Sequence, residues 1–249
     1  EVGADIIWEY TEKFRTPTLL VVNQLDKENA DFDKTVVEAK SHFGANAVVA
    51  QYPLNQGLEF NQIVDVLNMV VYRFDKEGGK PEKHPIPESE LAKAIQLHKE
   101  LVETIAANDE GLMEKYFEKG ELDEDEMREG LHHSLILHDI FPIFCTSATN
   151  NMGSGRIMGF IDNVCPSAWE MPPQKTVSGN ELKCDAQGPP CLFVFKTIIE
   201  PHIGELSLFK VYSGTIKEGM ELVNENTHTN EKINQLLVQN QRLLWIIFE

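Results

Sequence analysis

Thr18-Leu19-Leu20-Val21-Val22-Asn23-Gln24-Leu25-Asp26 is a short apolar run, rich in β-branched residues, that ends abruptly in a polar loop. A continuous apolar run of this length bounded by polar residues is the pattern of a central strand in a parallel sheet, buried on both faces. The loop at the carboxyl end of such a strand is where open α/β sheets place their ligands. Upstream, Ile6, Ile7, Tyr10 and Phe14 recur at helical spacing and Pro17 marks the exit from that helix. Downstream, Asp33 to Phe43 reads as a helix stopped by Gly44, with Val36, Val37 and Lys40 near its inner face. Ala47-Val48-Val49-Ala50 then resumes a strand. Helix and strand alternating in this way predict an α/β sheet.

The middle of the chain has another character. Residues 51–79 are irregular, with alternation in Ile63-Val64-Asp65-Val66-Leu67-Asn68-Met69-Val70-Val71. After Pro81, Pro85 and Pro87 a long helix is expected from Glu88, with Leu91, Ile95, His98, Val102 and Ile105 on one stripe. Two more helices are expected, over Gly111–Phe117 and Asp123–His138, the latter with carboxylates in the first turn where the helix dipole favours them. Together these segments read as an insertion into an α/β core. Phe141-Pro142-Ile143-Phe144-Cys145-Thr146 returns to a buried strand, and a helix over Gly155–Val164 closes the unit before Pro166, Pro172 and Pro173. Beyond Cys191 the period becomes two: Phe193, Phe195, Thr197 and Ile199, then Leu206, Leu208, Lys210 and Tyr212. With turns at Pro201-His202-Ile203-Gly204 and Ser213-Gly214, a small β-barrel or sandwich is expected there.

Bulk properties narrow the classes. The chain has 249 residues, 42% hydrophobic and 25% charged, which is ordinary globular composition and long enough for one large domain or two smaller ones. A formal charge of −18 argues against broad wrapping of nucleic acid, while leaving room for a few local contacts with RNA. No apolar run approaches a membrane span, and no membrane partner is expected. The first residues carry neither the basic region nor the apolar stretch of a signal peptide, and a start on Glu1 rather than Met is expected of a processed or excised piece. Cys145, Cys165, Cys184 and Cys191 are scattered without a CxxC pair, so neither metal spacing nor a disulfide framework is read, and a reducing, cytoplasmic location is expected.

Two loops carry the chemistry. In Asn23-Gln24-Leu25-Asp26 the Asp26 carboxylate is placed to accept hydrogen bonds from the ring N–H and exocyclic amine of guanine, a donor pair that adenine lacks. Such a site penalises the wrong base because its acceptor goes unpaired. Asn23 is expected to tie the loop to neighbouring backbone. Ser147-Ala148-Thr149 follows the second buried strand, which should lie beside the first; its backbone N–H groups are expected to donate to the guanine carbonyl, with Ser147 buttressing Asp26. Taken alone, each segment also fits a plain polar loop after a strand.

Several further stretches extend the pattern into a family resemblance. Glu1-Val2-Gly3-Ala4-Asp5 resembles the stretch after the second switch region of the elongation factor G family of translational GTPases. Asn23-Gln24-Leu25-Asp26 is similar to that family's Asn-Lys-x-Asp, and Ser147-Ala148-Thr149 to its Ser-Ala-x. Phe195-Lys196-Thr197, Glu200-Pro201-His202-Ile203-Gly204-Glu205-Leu206 and Phe209-Lys210-Val211-Tyr212-Ser213-Gly214-Thr215 resemble the start of its second domain. Elongation factor Tu, which lacks the insertion, is the poorer match. The resemblance implies an α/β, P-loop-NTPase-like but incomplete GTPase domain over 1–172 with an insertion subdomain at about 52–138. It also implies a linker over 173–190 and a partial β-barrel over 191–249. It implies GTP or GDP held through Asn23, Gln24, Asp26, Ser147, Ala148 and Thr149, with Mg²⁺ in the intact parent. The implied partner of this monomer is the ribosome, met at the stalk protein by the insertion and at small-subunit RNA by the barrel, in translocation of tRNA and mRNA. A non-hydrolysing paralogue and a tetracycline-type ribosomal protection factor are the other readings.

The sequence departs from the family in three places. Gln24 stands where the family has Lys, so the aliphatic stem that lies over the nucleotide ring is shortened and uncharged. No Gly-x-x-x-x-Gly-Lys-Ser/Thr occurs in residues 1–249; Gly153-Ser154-Gly155-Arg156 lacks the Lys-Ser/Thr pair and reads as a strand-to-helix connection. Without phosphate cradle or metal ligand, no GTP hydrolysis is expected of this chain alone. After Lys232-Ile233-Asn234-Gln235-Leu236 the tail Leu243-Leu244-Trp245-Ile246-Ile247-Phe248-Glu249 does not align with the family. His132, His133 and His138 are read as a solvated helix side, Asp123-Glu124-Asp125-Glu126 as no calcium loop, and Met69, Met113, Met127 and Met158 as core filler.

Overall fold

In a computed structural model of the chain, residues 2–76, 78–200, 204–240 and 243–246 are described, and they divide into two compact units at Pro166/Ser167. The turn read at Pro201-His202-Ile203-Gly204 and the last residues of the tail therefore fall partly outside the described residues.

The first unit is built on three parallel strands, β1 (Leu20–Val22), β2 (Ala47–Val49) and β7 (Phe141–Cys145), in the order β1-β7-β2. Register pairs Leu20 with Ile143 and Ala47 with Phe141. Every residue of β7 is buried, as its run of Phe, Pro, Ile, Phe and Cys requires of a strand with neighbours on both sides. Between β2 and β7 the chain adds an antiparallel sheet of β3 (Gln51–Pro53), β4 (Gln62–Asp65), β5 (Val70–Arg73) and β6 (Glu82–His84), ordered β3-β4-β5-β6. Three helices follow: α3 (Glu88–Ala107), α4 (Glu110–Lys119) and α5 (Glu124–Ile136). With α1 (Val2–Phe14), α2 (Phe32–Phe43) and α6 (Ser154–Val164) they complete the unit.

Helix starts follow local chemistry. Asp31, Asp109 and Asp123 each accept a hydrogen bond from a backbone N–H in the first turn of α2, α4 and α5, and at Asp123 the Glu126 carboxylate returns to the Asp123 N–H in a capping box. Which face is buried differs from the sequence expectation in three helices. In α1 no residue is buried; Ile6, Ile7, Tyr10 and Phe14 are all exposed, and the helix docks through Trp8, whose ring lies 4.5 Å from Phe43 and 4.8 Å from Phe141. In α2, Val36 packs inward whereas Val37 is exposed. In α3 the buried line is Ala94, Leu101, Val102, Ile105 and Ala106, while Leu91 and Ile95 face outward. The side-chain period is right in each case, but small Ala94 and bulky Trp8 set the rotation through fit to the neighbouring elements.

His138 departs further. It lies past the end of α5 with φ 57°, is buried, and its Nδ1 is 2.8 Å from the Thr16 carbonyl while its ring meets Phe141 edge-on. It is a packed group, not part of a solvated helix side. Met127 is buried, Met69 and Met113 pack against the core, and Met158 is exposed, so the filler reading holds for three of those four. No group of His, Cys, Asp and Glu side chains suited to a metal ion occurs among the described residues, and no helix there is long and apolar enough to cross a membrane.

The second unit consists of two-stranded antiparallel ribbons: β8 (Gln174–Lys175) with β9 (Glu181–Leu182), β10 (Cys191–Glu200) with β11 (Gly204–Ser213), β12 (Glu221–Asn224) with β13 (Thr229–Lys232), and β14 (Leu237–Asn240) with β15 (Leu243–Ile246). No closed barrel is formed by the pairings of the described residues. Phe193, Val194, Phe195 and Ile199 of β10 are exposed, so the alternation read from sequence yields a ribbon with apolar side chains on both faces.

Where α3, α4 and α5 meet, Gly130 leaves no spare room: a Cβ there would sit 2.4 Å from Ile105 Cγ2 and 2.6 Å from Leu112 Cδ1. Alanine would recover about 1 kcal/mol of helix propensity, but overpacking costs about 1–3 kcal/mol. Gly130→Ala should lower stability by about 1 kcal/mol or more, seen as a lower urea midpoint at unchanged slope. A midpoint equal to or above that of the parent would show that the helices move apart without cost.

Candidate functional site

The carboxyl ends of β1 and β7 bring the two polar loops together. Their ladder runs past the strands themselves: the Thr146 N–H donates to the Val22 carbonyl at 2.9 Å and the Leu25 N–H to the Thr146 carbonyl at 3.4 Å. Leu25 is buried and anchors its loop from below. The Asn23 side-chain oxygen accepts the Ala148 N–H at 3.0 Å, a direct tie between the loops. That bond gives Asn23 its bridging position and changes the assignment for Ala148. Its N–H is committed to Asn23, and in the 147–149 stretch the Thr149 N–H is the one with no partner among the described residues. Ser147 is fully buried; its backbone exchanges hydrogen bonds with Met152 at 3.0 Å each way, and its hydroxyl accepts the Asn150 N–H at 3.3 Å.

Asp26 sits with its side chain 11% exposed, and Lys27 Nζ is 3.1 Å from Oδ2. The Ser147 hydroxyl beside it holds its carboxyl below the ordinary pKa, against the opposing effect of burial and with help from Lys27. The group is thus an ionised acceptor at neutral pH. Its other oxygen, Oδ1, is shielded from solvent and has no hydrogen-bond partner.

Gln24 lies exposed in the same loop with φ 64°, a left-handed conformation that a residue with a Cβ adopts at a cost of about 1 kcal/mol. Its carbonyl accepts the Lys27 N–H at 3.1 Å, so the strain is held by the turn that presents Asp26.

Other supports were invisible in the sequence reading. The Leu25 carbonyl accepts the Gly57 N–H at 2.8 Å and the Gln56 side-chain oxygen accepts the Phe32 N–H at 2.9 Å, so the β3–β4 connection braces the Asp26 loop. Gly79 donates to the Asn151 carbonyl at 3.0 Å, and a Cβ on Gly78 would lie 1.9 Å from the Asn150 carbonyl oxygen. The adjacent Gly78-Gly79 pair was the available signal of close backbone approach. Gly153, at φ 88°, begins α6 against the end of β7, where a Cβ would meet the Cys145 carbonyl oxygen at 2.8 Å. The glycines of 153–156 serve that strand-to-helix connection.

Residues 189–242 match the family model described as elongation factor G domain 2. Over 244 residues the chain is 30% identical to elongation factor G of Petrotoga mobilis, covering 95% of this chain and 35% of that protein. A crystal structure of a Thermus thermophilus protein shares the fold with a TM-score of 0.81 at 24% identity, over 99% of this chain and 34% of that one. The chain thus spans about a third of the length of the relatives it matches. Paired loops at the carboxyl edge of a parallel sheet, a matched second-domain model and identity along nearly the whole chain have one joint reading: the chain belongs to the elongation factor G family.

Proposed function

We propose that residues 1–172 are the guanine-reading part of a translational GTPase domain, with its insertion at about 52–138, followed by a linker and the beginning of a β-barrel domain at 191–249. Its work is ribosome-dependent protein synthesis in the cytoplasm, as a monomer that binds GTP or GDP and promotes translocation. The observation that carries this reading is the Asp26 carboxylate, kept ionised by Ser147 and Lys27 in a loop that Asn23 ties to Ala148 across the strand ends. Guanine supplies a ring N–H and amine for the carboxylate and a carbonyl for the Thr149 N–H, so the residues fit the base.

Asn23 holds the loops at the spacing that the base requires, and Ser147 keeps Asp26 ionised. The triphosphate and Mg²⁺ would be gripped by groups outside residues 1–249, and no step of phosphoryl transfer is assigned to this chain. By family analogy the insertion meets the ribosomal stalk protein and the barrel meets small-subunit RNA. Gln24 favours one other reading, a paralogue that binds guanine nucleotide or the ribosome without hydrolysis, because the ring loses the long cationic stem over its face.

Asp26→Asn places an amide donor where guanine also presents donors. It should lower GDP affinity by at least about tenfold and improve affinity for xanthosine diphosphate, whose ring carries an acceptor at the matching position. Equal GDP titrations for parent and variant would remove Asp26 from the base site. Gln24→Lys should tighten GDP binding; an unchanged dissociation constant would show that the stem at this position has no influence on the ring. The purified chain should release no phosphate from GTP above background, and turnover abolished by Asp26→Ala would overturn that expectation.

A further inference from the structure

Two consecutive residues of the insertion hold the Asp26 loop at both of its ends. Leu25 and Phe32, which bound that loop, are 1% and 3% exposed. Between them the chain turns twice: the Lys27 N–H donates to the Gln24 carbonyl at 3.1 Å and the Ala30 N–H to the Lys27 carbonyl at 3.0 Å. At the first end the Leu25 carbonyl accepts the Gly57 N–H at 2.8 Å. At the second end the Phe32 N–H donates to Gln56 Oε1 at 2.9 Å. Phe32 is the first residue of α2, so its N–H is one of those that find no partner inside the helix. The Asp31 cap takes the Lys34 N–H and leaves that of Phe32 to Gln56.

The loop that presents Gln56 is itself closed. Asn55 Oδ1 accepts the Asn61 and Gln62 N–H groups at 3.2 and 3.0 Å, while Asn55 Nδ2 donates to the Glu59 carbonyl and to Asn61 Oδ1. The buried Phe60 returns its N–H to the Gly57 carbonyl at 2.9 Å. Gly57 has φ 83°, a left-handed turn that sets its N–H and the Gln56 side chain beside each other. Leu58, the next residue, is 74% exposed and makes none of these bonds.

We propose that Gln56 is a positioning residue of the base site, fixing the far end of the Asp26 loop and thereby sharpening the preference for guanine. The inference rests on the guanine reading given above and assigns part of that site's selectivity to the insertion. Two simultaneous hydrogen bonds to one carboxylate demand a tighter orientation than a single one, because each weakens steeply with angle. A loop released at Phe32 therefore loses more with guanine than with hypoxanthine, which keeps the ring N–H and lacks the exocyclic amine.

Gln56→Met keeps the length of the side chain and removes its acceptor. Gln56→Glu keeps an acceptor at the start of α2, where the helix dipole favours a carboxylate. In titrations of the chain, Gln56→Met should weaken GDP by about threefold to tenfold and inosine diphosphate by less. Gln56→Glu should restore both, and Leu58→Ser, in the same loop, should change neither. Without ligand, hydrogen exchange at Phe32, Lys27 and Ala30 should quicken in Gln56→Met, with less change at Leu101 in the middle of α3. Asp26→Asn separates the two ways of failing. GDP binding indifferent to Asp26→Asn would remove the guanine reading and this inference with it. A loss with Asp26→Asn, but none with Gln56→Met, would overturn the positioning role alone. So would equal losses of both nucleotides in Gln56→Met, or no recovery in Gln56→Glu.

Discussion

The first unit depends on β7 lying between β1 and β2. A strand buried along its whole length must satisfy its backbone on both sides, and β7 does so with two strands drawn from earlier in the chain. That pairing fixes where Ser147 emerges, because Thr146 continues the ladder to Val22 and Leu25. It also explains why a large insertion between β2 and β7 is tolerated. The cost of closing a flexible loop grows only logarithmically with its length, and the inserted sheet and helices carry their own buried residues.

Much of this arrangement was legible from the residues. The apolar runs at 47–50 and 141–146 are strands buried along their length, whereas the run at 18–22, expected as a central strand buried on both faces, forms the outer strand β1 of the described order and leaves Val21 exposed, because only β7 pairs with it. Asp31, Asp109 and Asp123 cap three helices, a signal the sequence reading did not use, and the polar ends of two strands mark the loops that the fold brings together. Rotation of the helices was less legible. Periodicity shows that a helix has a stripe, but α1 exposes its Ile6–Tyr10 stripe and docks through Trp8, a choice made by Phe43 and Phe141. His138 was misread for the same reason: a neighbour distant in sequence, Thr16, defines its environment.

The second unit shows what alternation does not determine. Period-two apolar residues predict strands, and the β10–β11 ribbon has them, yet Phe193 and Phe195 remain exposed. A two-stranded ribbon buries little by itself; a third strand or a packed helix is needed to cover either face. The family match over 189–242 therefore gives this region its identity, while the described strand pairings give it ribbons and not a closed wall.

Both unpaired acceptors lie just past the carboxyl ends of parallel strands, Asp26 after β1 and Gln51 after β2. Their cost is of the same order, and the fold sustains it in the same way, by locking the opposite atom of each group. Lys27 holds Asp26 Oδ2, and Asp65 holds Gln51 Nε2. A side chain locked at one atom cannot turn its other atom toward solvent or a nearer donor. The polar edge of the sheet thus follows from a single constraint: strands that end together leave polar groups that are oriented but incompletely satisfied. Sequence points to Asp26 through the resemblance of Asn23-Gln24-Leu25-Asp26 to the family's Asn-Lys-x-Asp. At Gln51 it does not, because a lone amide in a strand becomes informative only when its partner and its burial are seen together.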